Sequence, residues 1–210
     1  IGFIHAYVNP QHERRARDIL AEELPDITIS ISSEVSPQIR EFERFNTVCA
    51  NAFVKPLMAS YLERLVDRLR AVGGQCPVFM MHSGGGLISV ESAIEFPVRL
   101  LESGPAGGAI YAADFAARFG LDKVLSYDMG GTTAKICLIE DCLPKTARTF
   151  EVARTYRFKK GSGMPVSIPV IEMVEIGAGG GSIASVDKLS RITVGPDSAG
   201  STPGPVCYGR

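Results

Sequence analysis

The stretch "DMGGTT", residues 128–133, places a carboxylate, two glycines and two hydroxyls between "KVLSY" and "AKICLIE", two runs of strand-forming residues. A strand that ends on Asp128 and turns sharply at Gly130 and Gly131 brings bare backbone N–H groups and the hydroxyls of Thr132 and Thr133 to the space the carboxylate faces. A polyphosphate with its divalent cation calls for that combination. The acid holds the cation or a water on it, and neutral donors hold phosphate oxygens. The competing reading is a structural hairpin with a solvated aspartate.

Three more glycine clusters follow strands or precede helices: "HSGGG" (82–86), "SGPAGG" (103–108) and "GAGGGS" (177–182). Any one of them reads equally well as a tight turn. Four in one chain, two with hydroxyls attached, favour phosphate binding. There is no GxxxxGK[ST], hence no P-loop. "GAGGGS" falls one residue short of GxGxxG and runs into "SIASVD", which alternates as a strand where a dinucleotide fingerprint requires a helix. Its backbone, at Gly177, Gly179, Gly180 and Gly181, is a second candidate for nucleotide contact. Glu175, just before it, is a candidate catalytic base or metal ligand, or a solvated carboxylate at a strand end. "GPDSAG" misses the GxSxG elbow by one residue, so a serine hydrolase using Ser83 or Ser198 is the weakest reading. His5, Asn9, His12 and Glu13 gather at a strand end and a first helical turn, where they form a candidate substrate or metal site. The alternative is helix capping by Asn9 and dipole complementation by Glu13. His82, before "SGGG", carries the same two readings.

These residues need elements to hold them. Residues 2–8 read as a buried strand. A helix over 9–24 follows, with Asn9 as N-cap and Pro10 at the first helical position. Residues 27–32 alternate as a strand with one wet face. Residues 37–48 read as a helix. A longer one follows, in which Val54, Leu57, Met58, Tyr61, Leu65, Val66 and Leu69 recur at helical spacing, closed by "GGQCP". "VFMMH" reads as a short buried strand, "SVESAIEF" as a short helix and "GPAGGAIYAADFAARFG" as a longer one. Strands are expected over 124–127, 134–139, about 149–158, 168–176, 182–186 and 191–194. Alternating strands and helices give an α/β class. The change near Leu121 marks a boundary between 1–121 and a strand-rich 122–210.

The 22 basic and 23 acidic residues among 210 leave a net charge of −1, so no basic footprint points to nucleic acid. No apolar run is long enough to span a bilayer, and no signal peptide is visible. Cys49, Cys76, Cys137, Cys142 and Cys207 form no CxxC pair, which predicts reduced thiols in a cytoplasmic protein, with Cys49 and Cys137 in the core. The chain opens inside an apparent strand with no initiator methionine, and the expectation is an internal fragment of a longer protein.

Residues 102–152 resemble the centre of the actin-like ATPases. "ESGPAGGAIYAADFAARFGLDK" is similar to their lobe-crossing helix, and "VLSYDMGGTTAKICLI" to strand, second phosphate turn and strand. A narrower resemblance covers nearly the whole chain. "HAYVNPQHE", "NAFVKP", "HSGGGL", "PVRLLESGPAGG", "DMGGTT", "EIGAGGGSIASVD" and "VGPDSAGSTPGPVCYGR" resemble, in order and spacing, the hydantoinase A/5-oxoprolinase family. The resemblance implies an α/β, actin-like (ribonuclease H-like) fold, of which this chain would hold the end of the first lobe and the beginning of the second.

It also implies an ATP-dependent hydrolase that opens a hydantoin, N-methylhydantoin or 5-oxoproline. A ketone carboxylase subunit and a non-catalytic nucleotide-binding module are the alternatives. The implied cofactors are ATP and Mg2+, with K+ or another divalent metal as variants. The implied partners are a small cyclic amide or ketone and a hydantoinase B-type subunit or fused domain, in an oligomer. Asp128 is the expected metal and catalytic residue. Two departures stand out. Many members carry Asp where this chain has Lys135, and "GGTTAKI" resembles a subset of N-methylhydantoinase type. The family's first phosphate turn is not in this sequence, so the chain alone is expected to be inactive.

Overall fold

The computed structural model describes residues 1–156 and 159–209. In chain order the helical elements of the first half are α1 (Gln11–Glu23), α2 (Ser32–Val35) and α3 (Glu41–Ala71), then, after the hairpin β1 (Phe79–Met81) and β2 (Leu87–Ser89), α4 (Val90–Glu95) and α5 (Ser103–Phe119). Strands follow: β3 (Lys123–Met129), β4 (Ala134–Glu140), β5 (Leu143–Pro144), β6 (Thr146–Ala147), β7 (Phe150–Val152), β8 (Met164–Val166), β9 (Val170–Ile171), β10 (Val174–Ile176), β11 (Ser182–Val186) and β12 (Ile192–Ser198). The fold is α/β. Two compact units form, residues 1–106 with 146–170, and residues 107–145 with 171–210. The change of secondary structure near Leu121 is real, but the compact units divide inside α5, and residues 146–170 go with the first. No helix among the described residues is long and apolar enough to cross a membrane.

The first unit is organised by α3. The sequence suggests two helices, over 37–48 and from 54 onward; the chain forms one, which starts at Glu41 and continues through Pro56. Between them, Asn51 is fully buried, with its amide bonded outside the helix. Its Nδ2 donates to Ser30 Oγ and to the Glu95 carbonyl, and its Oδ1 accepts the Val98 N–H. A buried Asn so satisfied no longer competes for its own helix backbone. The helix ends as "GGQCP" suggests: Gly73, at φ +90°, lets Gly73 N–H reach the Arg70 carbonyl and Gly74 N–H the Leu69 carbonyl. One face of α3 packs with Val35, Val98, Val166, Ile168 and Val170 around Val48. Further along, Leu62 packs with Val90 and Ala93 of α4.

Residues 2–8 and 27–32 are not strands. Residues 4–8 form turns, with His5 at φ +57° and Val8 and Asn9 N–H groups both bonded to its carbonyl. Residues 28–31 run as irregular chain into α2. The alternation in "ITISIS" reflects burial of Ser30, Ile31 and Ser32 for another reason. The carboxylate of Glu13, with no exposed surface, lies between the two segments. It accepts the Phe3 N–H (2.7 Å), the Ser32 hydroxyl (2.6 Å) and the Ser33 N–H (2.8 Å). Arg44, equally buried, donates Nε to Ser32 Oγ and its terminal nitrogens to the Gln38 and Phe3 carbonyls. A polar cluster thus replaces a sheet here. Helix α1 begins at Gln11, one residue later than expected; Asn9 Oδ1 accepts the Gln11 N–H, and Pro10 occupies the cap.

In the second unit β10, β4 and β3 are neighbours in that order, all antiparallel, with β5 added on β4. The expected strand over 168–176 is broken into β9 and β10, and that over about 149–158 is confined to β7; residues 157 and 158 lie outside the described residues. Strands 182–186 and 191–194 form the β11–β12 ribbon. Cys137 is buried in β4, and burial pushes its thiol pKa up, whereas Cys49 is exposed rather than core. All five thiols are free.

Burial alone would raise the Glu13 pKa, but the hydrogen bonds from Ser32, Ser33 and Phe3 outweigh it and leave the carboxyl below the usual glutamate range. A depressed carboxylate contributes stability above its unfolded pKa and loses it as the pH falls through its folded pKa. Glu13→Ala leaves one buried and two partly buried donors unpaired and is expected to cost about 3 kcal/mol. It should also flatten the acid limb of the unfolding midpoint measured against pH. An unchanged acid limb in the variant would remove Glu13 from that role.

Candidate functional site

The "DMGGTT" segment is the β3–β4 hairpin, in register with Asp128 opposite Lys135 and Met129 opposite Ala134. Gly130 N–H donates to the Thr133 carbonyl at 2.9 Å and closes the turn. The N–H groups of Gly131, Thr132 and Thr133 and both threonine hydroxyls have no acceptor among the described residues. Asp128 and Thr132 are exposed and Thr133 is half-buried. One short turn therefore offers five donors unengaged among the described residues, beside an exposed carboxylate.

"GAGGGS" does something else. Gly180 N–H donates to the Gly130 carbonyl (2.9 Å) and Gly181 N–H to the Gly131 carbonyl (2.8 Å). Gly179 N–H is bonded to Ser182 Oγ at 3.0 Å. Three donors proposed for nucleotide thus hold the turn and its own loop. The approach is so close that a Cβ at Gly179 would lie 2.7 Å from both the Gly130 oxygen and the Thr132 nitrogen. One at Gly181 would meet the Gly131 oxygen at 2.8 Å. A third segment joins them: Ala199 N–H donates to the Gly181 carbonyl, and a Cβ on Gly131 would lie 2.9 Å from the Gly200 oxygen. Gly200 and Ser201 escaped the sequence reading; the glycines and prolines of "AGSTPGP" were the available sign.

Glu175 lies on β10 opposite Lys135, so Asp128, Lys135 and Glu175 form a row across three strands on one sheet face. Lys135 Nζ stands 3.9 Å from Glu175 Oε1. An ammonium thus stands in the row between two carboxylates, where a third acid would have made a wider metal set. No group of three or more His, Cys, Asp or Glu gathers for a metal among the described residues. Asp128 alone suits Mg2+, which takes one or two carboxylates and completes its shell from phosphate oxygens and water.

The other candidates lie in the first unit. Glu13 is consumed by the polar cluster described above. His5 and His12 are exposed, with no shared partner; His5 N–H donates to Glu41 Oε1. His82 is half-buried, and its Nδ1 accepts the Gly84 N–H at 3.0 Å. Burial, and secondarily the charge of Arg99, depress its pKa. The "SGGG" segment turns β1 into β2 around this ring. Ser83 is buried and its hydroxyl donates to the Arg99 and Pro169 carbonyls, which removes it as a nucleophile.

The sequence pattern described as hydantoinase/oxoprolinase matches residues 44–210. The chain belongs to that family. It is 38% identical to the caprolactamase subunit alpha of Pseudomonas jessenii over all of this chain and 29% of that protein. It is 32% identical to 5-oxoprolinase of Saccharomyces cerevisiae over 99% of the chain and 15% of that protein. The structure of an ATP-dependent acetone carboxylase, free of nucleotide, matches with a TM-score of 0.75 at 29% identity, over 96% of this chain and 28% of that one. The chain of this family member therefore spans less than a third of the length of the relatives it matches.

Gly179→Ala places a methyl group against the turn. It is expected to weaken ATP binding by the full-length protein about a hundredfold through displacement of the donors, with Gly180→Ala, which meets only Pro205 and the Gly130 oxygen at 3.4 Å or more, much milder. Equal effects in a nucleotide titration would contradict the close-packing account.

Proposed function

We propose that this chain supplies the second phosphate turn of an actin-like, ATP-dependent enzyme that opens a cyclic amide. Residues 1–121 would be the end of its first lobe, with the crossing helix, and 122–210 the beginning of the second. The observation that carries the reading is the 130–133 turn, with its unengaged N–H groups and hydroxyls beside Asp128. The names and titles of the family relatives support it: caprolactamase and 5-oxoprolinase act on lactams, and the caprolactamase is described as ATP-dependent.

An amide resists water because nitrogen donates into the carbonyl. When the carbonyl oxygen attacks the γ-phosphorus of ATP, an O–P bond forms and the bond to the bridging oxygen breaks, releasing ADP. The nitrogen lone pair is then drawn into a C=N bond, and the carbon, carrying a phosphate leaving group, is electrophilic enough to accept water. The ring C–N bond breaks with a proton passed to nitrogen, and phosphate is lost on hydrolysis. Gly131, Thr132 and Thr133 would hold phosphate oxygens through N–H and hydroxyl, and Asp128 would hold Mg2+ directly or through water. Mg2+ supplies charge neutralisation when bound. Glu175, oriented by Lys135, is the proposed proton acceptor. Gly180 and Gly181 act by fixing the turn. The partner is a hydantoinase B-type subunit or fused domain within an oligomer, in keeping with relatives named as subunits. The "GGTTAKI" turn favours hydantoin or N-methylhydantoin as the amide.

A second reading, activation of a ketone for carboxylation, is favoured by the structural match to acetone carboxylase. Bicarbonate separates the two. The full-length protein with its partner is expected to release ADP only when a cyclic amide is added, without need of bicarbonate, and Asp128→Ala is expected to lower that rate about a hundredfold or more. ADP release that demands a ketone and bicarbonate would replace the hydrolase by the carboxylase. Amide-independent turnover unaffected at Asp128 would contradict both.

A further inference from the structure

The first unit contains a polar constellation that the nucleotide reading does not use. A cavity of about 380 Å³ is walled by Val35, Ile88 and Ile168 and carries Gln38, His82 and Arg99. A second cavity of similar volume shares Gln38 and Pro169 with it and is lined by Arg148. Volumes of this order suit a small organic molecule. The apolar walls come from three separated segments; Ser36 and Ser167 also line the cavity, but their hydroxyls donate to the Ser167 carbonyl and to Gln38 Oε1.

The remaining polar groups are donors. Arg99 makes no ion pair among the described residues; its guanidinium lies over the Phe96 ring, 4.9 Å from the centroid. Its backbone is pinned, since Ser83 N–H and Ser83 Oγ both donate to the Arg99 carbonyl. His82 accepts at Nδ1 from Gly84, so the neutral imidazole carries its proton on Nε2. Gln38 Oε1 accepts the Ser167 hydroxyl at 3.3 Å, which leaves its NH2 group without a protein acceptor among the described residues. Arg148, too, has no acidic partner among those residues. Among the described residues no aspartate or glutamate lines either cavity. A half-buried guanidinium with no counter-charge, beside neutral donors and apolar walls, is complementary to a planar anion on a small apolar body.

We propose that this cavity binds a small carboxylate-bearing molecule, with Arg99 as the charge partner and Gln38 and His82 as neutral donors. The apolar walls take the remainder of the molecule. Arg148, in the adjoining cavity, suits a second acidic or carbonyl group. The site stands on the first unit alone and does not depend on the phosphate turn. The nearby depression of the His82 pKa agrees with it, because a neutral imidazole beside Arg99 leaves the guanidinium charge for the ligand.

The test is calorimetric titration of the full-length protein, without nucleotide, using three probes: 5-oxoproline, 2-pyrrolidone (the same ring without the carboxylate) and inorganic phosphate. The expected result is saturable binding of 5-oxoproline, at least tenfold weaker binding of 2-pyrrolidone, and no competition by phosphate at equal concentration. Arg99→Gln should weaken 5-oxoproline at least tenfold, and Arg99→Lys should recover part of the loss. Thermal unfolding of both variants shows whether the fold is kept. If Arg99→Gln unfolds, the comparison of probes in the native protein and the Arg99→Lys variant decides. Equal binding of ring with and without carboxylate, competition by phosphate, absence of binding, or an Arg99→Gln variant that folds and binds normally would each overturn the proposal.

Discussion

The phosphate turn depends on backbone touching backbone. The carbonyls of Gly130 and Gly131 are taken by the N–H groups of Gly180 and Gly181, at a separation that leaves no room for a side chain at Gly179 or Gly181. A turn made of glycines would otherwise sample many conformations and lose much entropy on ordering. Pairing its carbonyls to a second loop fixes the turn while the N–H groups of residues 131–133 keep no acceptor among the described residues. That division of labour, acceptors paired and donors free, is what the proposed phosphate site requires of the hairpin. Preorganised donors are what phosphoryl transfer asks of a protein.

The first unit solves a related problem with side chains. Glu13, Ser32 and Arg44 form a buried chain of charge-assisted hydrogen bonds, and Asn51 ties α3 to the Ser30 and Glu95 segments. Buried charges are costly unless hydrogen-bonded or paired; Glu13 accepts three hydrogen bonds, and Arg44 donates to Ser32 and two carbonyls and pairs with Glu41. Their partners are largely backbone groups in irregular segments. The cluster therefore substitutes for the strand ladders that residues 2–8 and 27–32 do not form.

Much of this was readable from local patterning. The β3–β4 hairpin, α4 and α5 follow from composition and turn chemistry, and "DMGGTT" lies where the residues place it. What escaped was non-local. The alternation of "ITISIS" matches a strand, but its buried serines are held from elsewhere in the chain, Ser32 by Glu13 and Ser30 by Asn51. "GAGGGS" reads as an anion nest because glycine supplies N–H groups; that carbonyls of another loop take them cannot be seen in the segment itself. Arg99 appears only within "PVRLLESGPAGG" and Gln38 in no motif, and only the folded chain reveals that no acid lines their cavity among the described residues. Lys135 was visible as a departure, but its place between Asp128 and Glu175 needed the register of three strands.

The central claim is that the free donors of residues 131–133 meet phosphate. Hydrogen–deuterium exchange of the full-length protein, read on peptides covering the β3–β4 turn, tests it most directly. Without nucleotide these amides have no acceptor and should exchange rapidly, whereas those of Gly180 and Gly181 should be protected throughout. Added ATP and Mg2+ are expected to slow exchange at 131–133. Saturating nucleotide that leaves this turn unprotected while protecting other segments would contradict the account.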